Sequence, residues 1–107
     1  MGLSSRECLS IWKGYVYRRE YQELVFEVAA VARLFYKTND REWIKVFKDL
    51  YKEINGLTKH RIWHNIREYL KDFILEAIKT VKGECGKVKF RNKEKQTHER
   101  LARPYLN

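Results

Sequence analysis

Leu24-Val25-Phe26-Glu27-Val28-Ala29-Ala30-Val31-Ala32-Arg33-Leu34-Phe35-Tyr36 decides the fold of this chain. Its apolar side chains do not alternate with polar ones, as they would on a half-buried strand, but run nearly all the way round a helix. A helix without a polar face must be covered on several sides. It is therefore either the centre of a helical bundle or the contact between two copies of the chain. Ala29, Ala30 and Ala32 are small enough to let another helix approach closely. The helix is expected to extend over Arg18 to Lys37.

The flanking punctuation divides the rest. Thr38-Asn39-Asp40-Arg41-Glu42 opens a second helix, with Asn39 as N-cap, Glu42 three residues on, and Asp40 adding negative charge at the positive end of the dipole. Trp43, Phe47, Leu50 and Ile54 then share one face, and Asn55-Gly56 ends the helix. Thr58 starts a third helix over about Lys59 to Lys82, whose dry stripe is Ile62, Ile66, Tyr69 or Leu70, Phe73, Ala77 and Val81. Gly83 closes it. Upstream, Ser4-Ser5-Arg6-Glu7 is a capping-box pattern, and a short helix to about Lys13 should bury Leu9 with Ile11 or Trp12 before Gly14 interrupts it.

Downstream of Gly83 the pattern changes. Lys87-Val88-Lys89-Phe90-Arg91 alternates basic and apolar residues, as a short strand or an extended arm would. Thr97 to Arg103 has room for one or two helical turns before Pro104. The expected architecture is all-α: a small bundle of three main helices plus a short N-terminal helix in residues 1–83, followed by a basic C-terminal arm over 84–107.

Composition bounds the function. A chain of 107 residues makes one domain. Fifteen aromatic residues need a dry interior, and five Gly with one Pro exclude a linker or collagen-like chain. The longest apolar run, Val28 to Ala32, is five residues, far short of the roughly 20 that cross a bilayer. The first residues lack the basic and apolar regions of a secretory signal, and Arg6 stands where a myristoylation signal needs Ser or Thr. Cys8 and Cys85 are too few for a secreted disulfide scaffold, so a cytoplasmic protein with reduced thiols is expected. Cys85 also lacks the CxxC partner of a zinc knuckle.

Charge points to a partner. The net charge is +9, and it is unevenly spread: residues 1–56 hold 10 Lys+Arg against 8 Asp+Glu, residues 57–107 hold 13 against 6. Arg41, Lys45, Lys48 and Lys52 form one helical stripe, and His60, His64, Arg67 and Lys71 repeat its spacing. Lys87, Lys89, Arg91 and Lys93 extend the basic run beyond the third helix. Two stripes and a basic tail suit a polyanion, although Glu42, Asp49, Glu53, Glu68 and Asp72 dilute the field.

The stretch Tyr51 to Ile66, with a Gly turn at Gly56 and a Thr58 N-cap, resembles a helix-turn-helix. That resemblance implies a second helix in the DNA major groove, presenting Lys59, His60, Arg61 and His64, with Arg61 and Asn65 as base readers. Tyr51 or Lys52 stands where the family places a small residue in its first helix, Asn55 occupies or lengthens the apolar turn position, and no two-stranded wing follows. Arg91 and His98, with six residues between them, resemble in spacing the Arg…His pair of HEPN-type ribonucleases, which implies acid–base chemistry on RNA. His60, His64 and Glu68 lie at one-turn intervals, yet further metal ligands are missing, and no metal or other cofactor is expected. Tyr15, Tyr17 and Tyr21 with Arg18 and Arg19 suit the edge of a core, phenols outward.

The sequence therefore leads us to expect a small non-enzymatic nucleic-acid-binding protein, with DNA favoured over RNA, in the form of a transcriptional regulator that dimerises through the helix at 24–36. The alternative is a helical adaptor or assembly subunit that uses that helix for protein contacts.

Overall fold

Ser4 starts the first helix as its spacing to Glu7 dictates. Its hydroxyl accepts from the Glu7 N–H at 3.1 Å, while the Glu7 carboxylate accepts from the Ser4 N–H at 3.1 Å. These hydrogen bonds hold the Glu7 carboxyl below its ordinary pKa. The computed structural model describes residues 2–57 and 61–102, and for 61–64 the backbone alone. Within it lie five helices: α1 (Ser5–Tyr17), α2 (Tyr21–Leu34), α3 (Arg41–Asn55), α4 (Arg61–Lys82) and α5 (Lys87–Ala102). No strand occurs among the described residues, and no described helix is long and apolar enough to cross a membrane.

α1 passes through Gly14 rather than stopping at it. One glycine costs a helix only about 1 kcal/mol, and Trp12 and Val16, buried on either side of it, outweigh that. Trp12 stacks with Phe47 and lies against Trp43, both at 5.9 Å between ring centroids, and Phe35 meets Trp43 at 5.3 Å. This aromatic cluster joins α1, α3 and the end of α2.

α2 is shorter than expected at both ends and is not dry all round. Arg19, in the left-handed region at φ 62°, turns the chain before Tyr21. Leu24, Val25, Val28, Ala29 and Ala32 are buried, whereas Phe26, Ala30 and Leu34 form an outer apolar stripe, Phe26 64% and Leu34 76% exposed.

The N-cap of α3 is Asp40, not Asn39. The Asp40 carboxylate accepts from the Trp43 N–H at 3.0 Å. Asn39 instead takes a left-handed backbone, φ 54°, and donates its N–H to the Val81 carbonyl at 2.8 Å. Lys37 N–H likewise reaches the Thr80 carbonyl at 3.2 Å, so the α2–α3 loop satisfies carbonyls that the end of α4 leaves open. Gly83 makes this possible: at φ 81°, a Cβ there would stand 2.8 Å from Lys37 Cγ.

α4 is the central helix, packed on α2, α3 and α5. Ile66, Leu70, Phe73, Ile74, Ala77, Ile78 and Val81 are buried on it. Residues 87–102, expected as a strand or arm followed by a few helical turns, form one helix docked on α2 and α4. Phe90 stacks on Phe73 at 5.5 Å, and Phe90, Thr97 and Leu101 are buried on one side. The radius of gyration, 13.1 Å, is that of one folded body of about 100 residues, and among the described residues no extended arm follows α4.

Candidate nucleic-acid interface

The wet face of α3 carries the stripe Arg41, Lys45, Lys48 and Lys52, and the four do not behave alike. Lys45 lies 3.9 Å from the Asp49 carboxylate, which also accepts from Arg6 at 2.9 Å. The Arg6 hydrogen bond holds the Asp49 carboxyl below its ordinary value, so this end of the stripe is largely neutral. Lys48 and Lys52 make no ion pair with a described residue. They line the groove between α3 and α4.

The opposite wall of that groove supplies Lys79 and Lys82, one turn apart on α4. Tyr51, Leu75 and Ile78 form its floor, and its volume is about 470 Å³. Leu75 is 43% exposed there, while Ile78 is nearly buried. Glu84 is the one carboxylate among its described lining residues, and Lys79 also contacts Glu76 at 3.4 Å. Four ammonium groups thus border an apolar floor with few acids in reach.

A second groove, between α4 and α5, lies on the other side of the α4 ridge. Lys89, Asn92, Lys93 and Gln96 line it, with Glu76 at its α4 wall. Lys93 is bonded to Asp72, whereas Lys89 has no described ion-pair partner. The α3 and α4 cations Lys48, Lys52, Lys79 and Lys82 thus share the α3/α4 groove, whereas those of α5 are divided between the α4/α5 groove, with Lys89 and Lys93, and other directions, with Lys87 against Tyr36.

Several expected contact residues are placed otherwise. Arg67 is 6% exposed, inside the bundle, with its guanidinium near the Leu57 carbonyl and 3.5 Å from Glu68; it cannot reach a phosphate. Its stripe position, read as wet, faces the α3–α4 turn. The Lys71 and Lys93 side chains are each only 19% exposed and paired, Lys71 with Glu68 at 3.3 Å and Lys93 with Asp72. Lys71 also lies over the Tyr51 ring at 5.7 Å. Lys87 is exposed, its ammonium 5.1 Å from the Tyr36 ring centroid, and Arg91 and Asn65 are exposed. Lys59 and His60 lie outside the described residues, and Arg61 and His64 are placed only by the α4 backbone. Lys79 and Lys82 were the residues that sequence reasoning passed over. They read as ordinary cations at a helix C-terminus, favoured by the dipole. The signal was their spacing from Leu75, i, i+4 and i+7, on the side that meets Lys48 and Lys52.

The groove between α2 and α5 has the opposite character. His98 Nε2 lies 3.8 Å from Glu94, and Glu94 also accepts from Arg33. Arg91 and His98, two turns apart, share a face of α5, but Glu23 and Glu27 line the groove beside His98. Glu27 is itself held by hydrogen bonds from Trp12 Nε1 and the Tyr15 hydroxyl. A phosphate chain would meet carboxylates there. Of the three tyrosines expected at the edge of the core, Tyr15 lies there, Tyr21 is buried inside it, and Tyr17 stands out in water. Among the described residues no group of three His, Cys, Asp or Glu side chains comes together as a metal site.

No family model, curated protein or solved structure matches the chain. A polyanion with an apolar part would satisfy both the lysines and the floor of the α3/α4 groove.

Proposed function

We propose that the protein binds nucleic acid through the side of the bundle formed by α3, α4 and α5. The observation that carries this reading is the meeting of Lys48, Lys52, Lys79 and Lys82 around one groove, with Glu84 the only carboxylate among its described lining residues. Like charges gathered on one surface repel one another and raise the local concentration of polyanions. Phosphates laid along them release condensed counterions, which supplies affinity without sequence preference. Within this reading, a DNA-binding regulator would read bases with the first turns of α4, at Arg61 and Asn65, because α2, α3 and α5 pack along that helix. A second copy would pair through the outer stripe Phe26, Ala30 and Leu34 of α2, a narrower contact than the whole helix.

A gel-shift series with duplex DNA, single-stranded DNA and RNA at two salt concentrations tests the proposal. Binding that weakens steeply as salt rises supports it. Affinity indifferent to salt, or no retention of any nucleic acid by a protein found in a stable heterocomplex, favours the adaptor alternative. For the dimer, Phe26→Asp should halve the mass measured by light scattering; an unchanged mass contradicts the α2 contact.

A further inference from the structure

We infer that the α3/α4 groove receives an unstacked base of a single-stranded nucleic acid, with the neighbouring phosphates held by the lysines on its two walls. This rests on the nucleic-acid reading and narrows it to one form of strand. A phosphate surface alone calls for cations, and the α3/α4 groove holds more than cations. Its floor is Leu75, Ile78 and Tyr51, and Leu75 leaves 43% of its surface in water. A double helix turns phosphates outward and keeps the flat faces of its bases inside the stack. It would meet the lysines and leave the floor wet. A single strand offers every base as a flat apolar plate, and such plates seat on apolar and aromatic side chains with little regard for sequence.

The layout of the walls agrees. Lys48 and Lys52 stand one turn apart on α3, and Lys79 and Lys82 one turn apart on α4, so cations flank the floor from both sides. A base entering between them brings a phosphate on each side of its sugar, within reach of one wall or the other. The volume, about 470 Å³, lies within the range of about 300–1,000 Å³ typical of sites for compact ligands. Tyr51 is kept in place by the Lys71 ammonium over its ring, itself tied to Glu68. The floor is thus formed before a ligand arrives.

The test is fluorescence anisotropy with three labelled probes of about 12 nucleotides, a length within single-strand site sizes: oligo-dT, its duplex with oligo-dA, and an abasic strand that keeps the phosphates and loses the bases. The expected result is oligo-dT bound about ten-fold more tightly than either of the others. Leu75→Ser, exposed and uncharged, should bring oligo-dT down to the abasic level and leave the duplex unchanged, and Leu75→Trp should tighten oligo-dT alone. Equal binding of all three probes, still weakened by Lys52→Glu, would overturn base insertion and leave the phosphate-binding reading standing. Indifference of every probe to Lys52→Glu would overturn the assignment of nucleic acid to this groove, and no binding of any probe by the wild type would overturn the nucleic-acid reading itself. Binding to phosphatidylglycerol vesicles with no binding of any oligonucleotide would overturn both.

Discussion

The groove between α3 and α4 and the groove between α2 and α5 both hold charged side chains over apolar neighbours, and they differ in how those charges are answered. Between α2 and α5, Arg33 and His98 converge on Glu94, with Glu23 and Glu27 beside them. The Arg33–Glu94 pair fastens α2 to α5. Between α3 and α4, Lys48, Lys52 and Lys82 have no described ion-pair partner, and Lys79 shares Glu76. Charges left unanswered within one folded body are available to something outside it. A net charge of +9 does not by itself distinguish the two grooves; the pairing does.

The largest effect that can break this contrast is charge reversal. Lys52→Glu with Lys82→Glu should weaken nucleic-acid binding about 100-fold at moderate salt, whereas Arg91→Glu with Lys95→Glu, equally exposed and facing elsewhere, should change it by less than about three-fold. Equal losses from the two pairs would remove the distinction. Next in size is Glu94→Ala, which leaves Arg33 and His98 without their shared carboxylate. It should cost about 1–3 kcal/mol of folding stability, read as a lower urea midpoint, with binding unaffected. Gly83→Ala should cost about 1–2 kcal/mol, since an alanine pays for the left-handed backbone and its Cβ would crowd Lys37.

The smallest effect concerns Asp49, whose carboxyl Arg6 holds below its ordinary value. A carboxyl with a depressed folded pKa stabilises the fold above its unfolded pKa and loses that contribution as pH falls through the folded value. Stability should therefore decline as pH drops below about 4, and Asp49→Asn should reduce that decline slightly, because the pair is exposed and screened. Urea midpoints at neutral and acidic pH, compared between wild type and variant, check this. A variant with an unaltered acid decline contradicts it.

Much of the fold was legible, because it rests on signals that act locally. The Ser4–Glu7 cap, the stripe Trp43, Phe47, Leu50, Ile54 and the stripe Ile66, Leu70, Phe73, Ala77, Val81 appear as read. α5 was not legible as a bundle helix. Its core-facing positions Phe90, Glu94, Thr97 and Leu101 follow helical spacing, but two of the four are polar. Glu94 is tolerated there only because Arg33 and His98 meet it, and Thr97 because its hydroxyl donates to the Lys93 carbonyl at 2.7 Å. Of those partners, Lys93 and His98 lie on α5 itself, and Arg33 is brought from α2 by tertiary packing. The alternation from Lys87 to Arg91 imitated a strand because Val88 is apolar and yet faces water. The site was half legible for the same reason: Lys48 and Lys52 stood out on α3, but which cations of α4 would meet them depended on how the two helices cross. Arg67 and Lys71 fit the stripe rule and still lost their place to burial and to Glu68.

The most direct test of the central claim is the slope of log binding constant against log salt concentration for an oligonucleotide, measured for the wild type and for Lys52→Glu/Lys82→Glu. Each phosphate contact contributes about one unit of slope. If these lysines hold phosphates, the double variant shows a slope shallower by about two; a slope identical to that of the wild type would contradict the account.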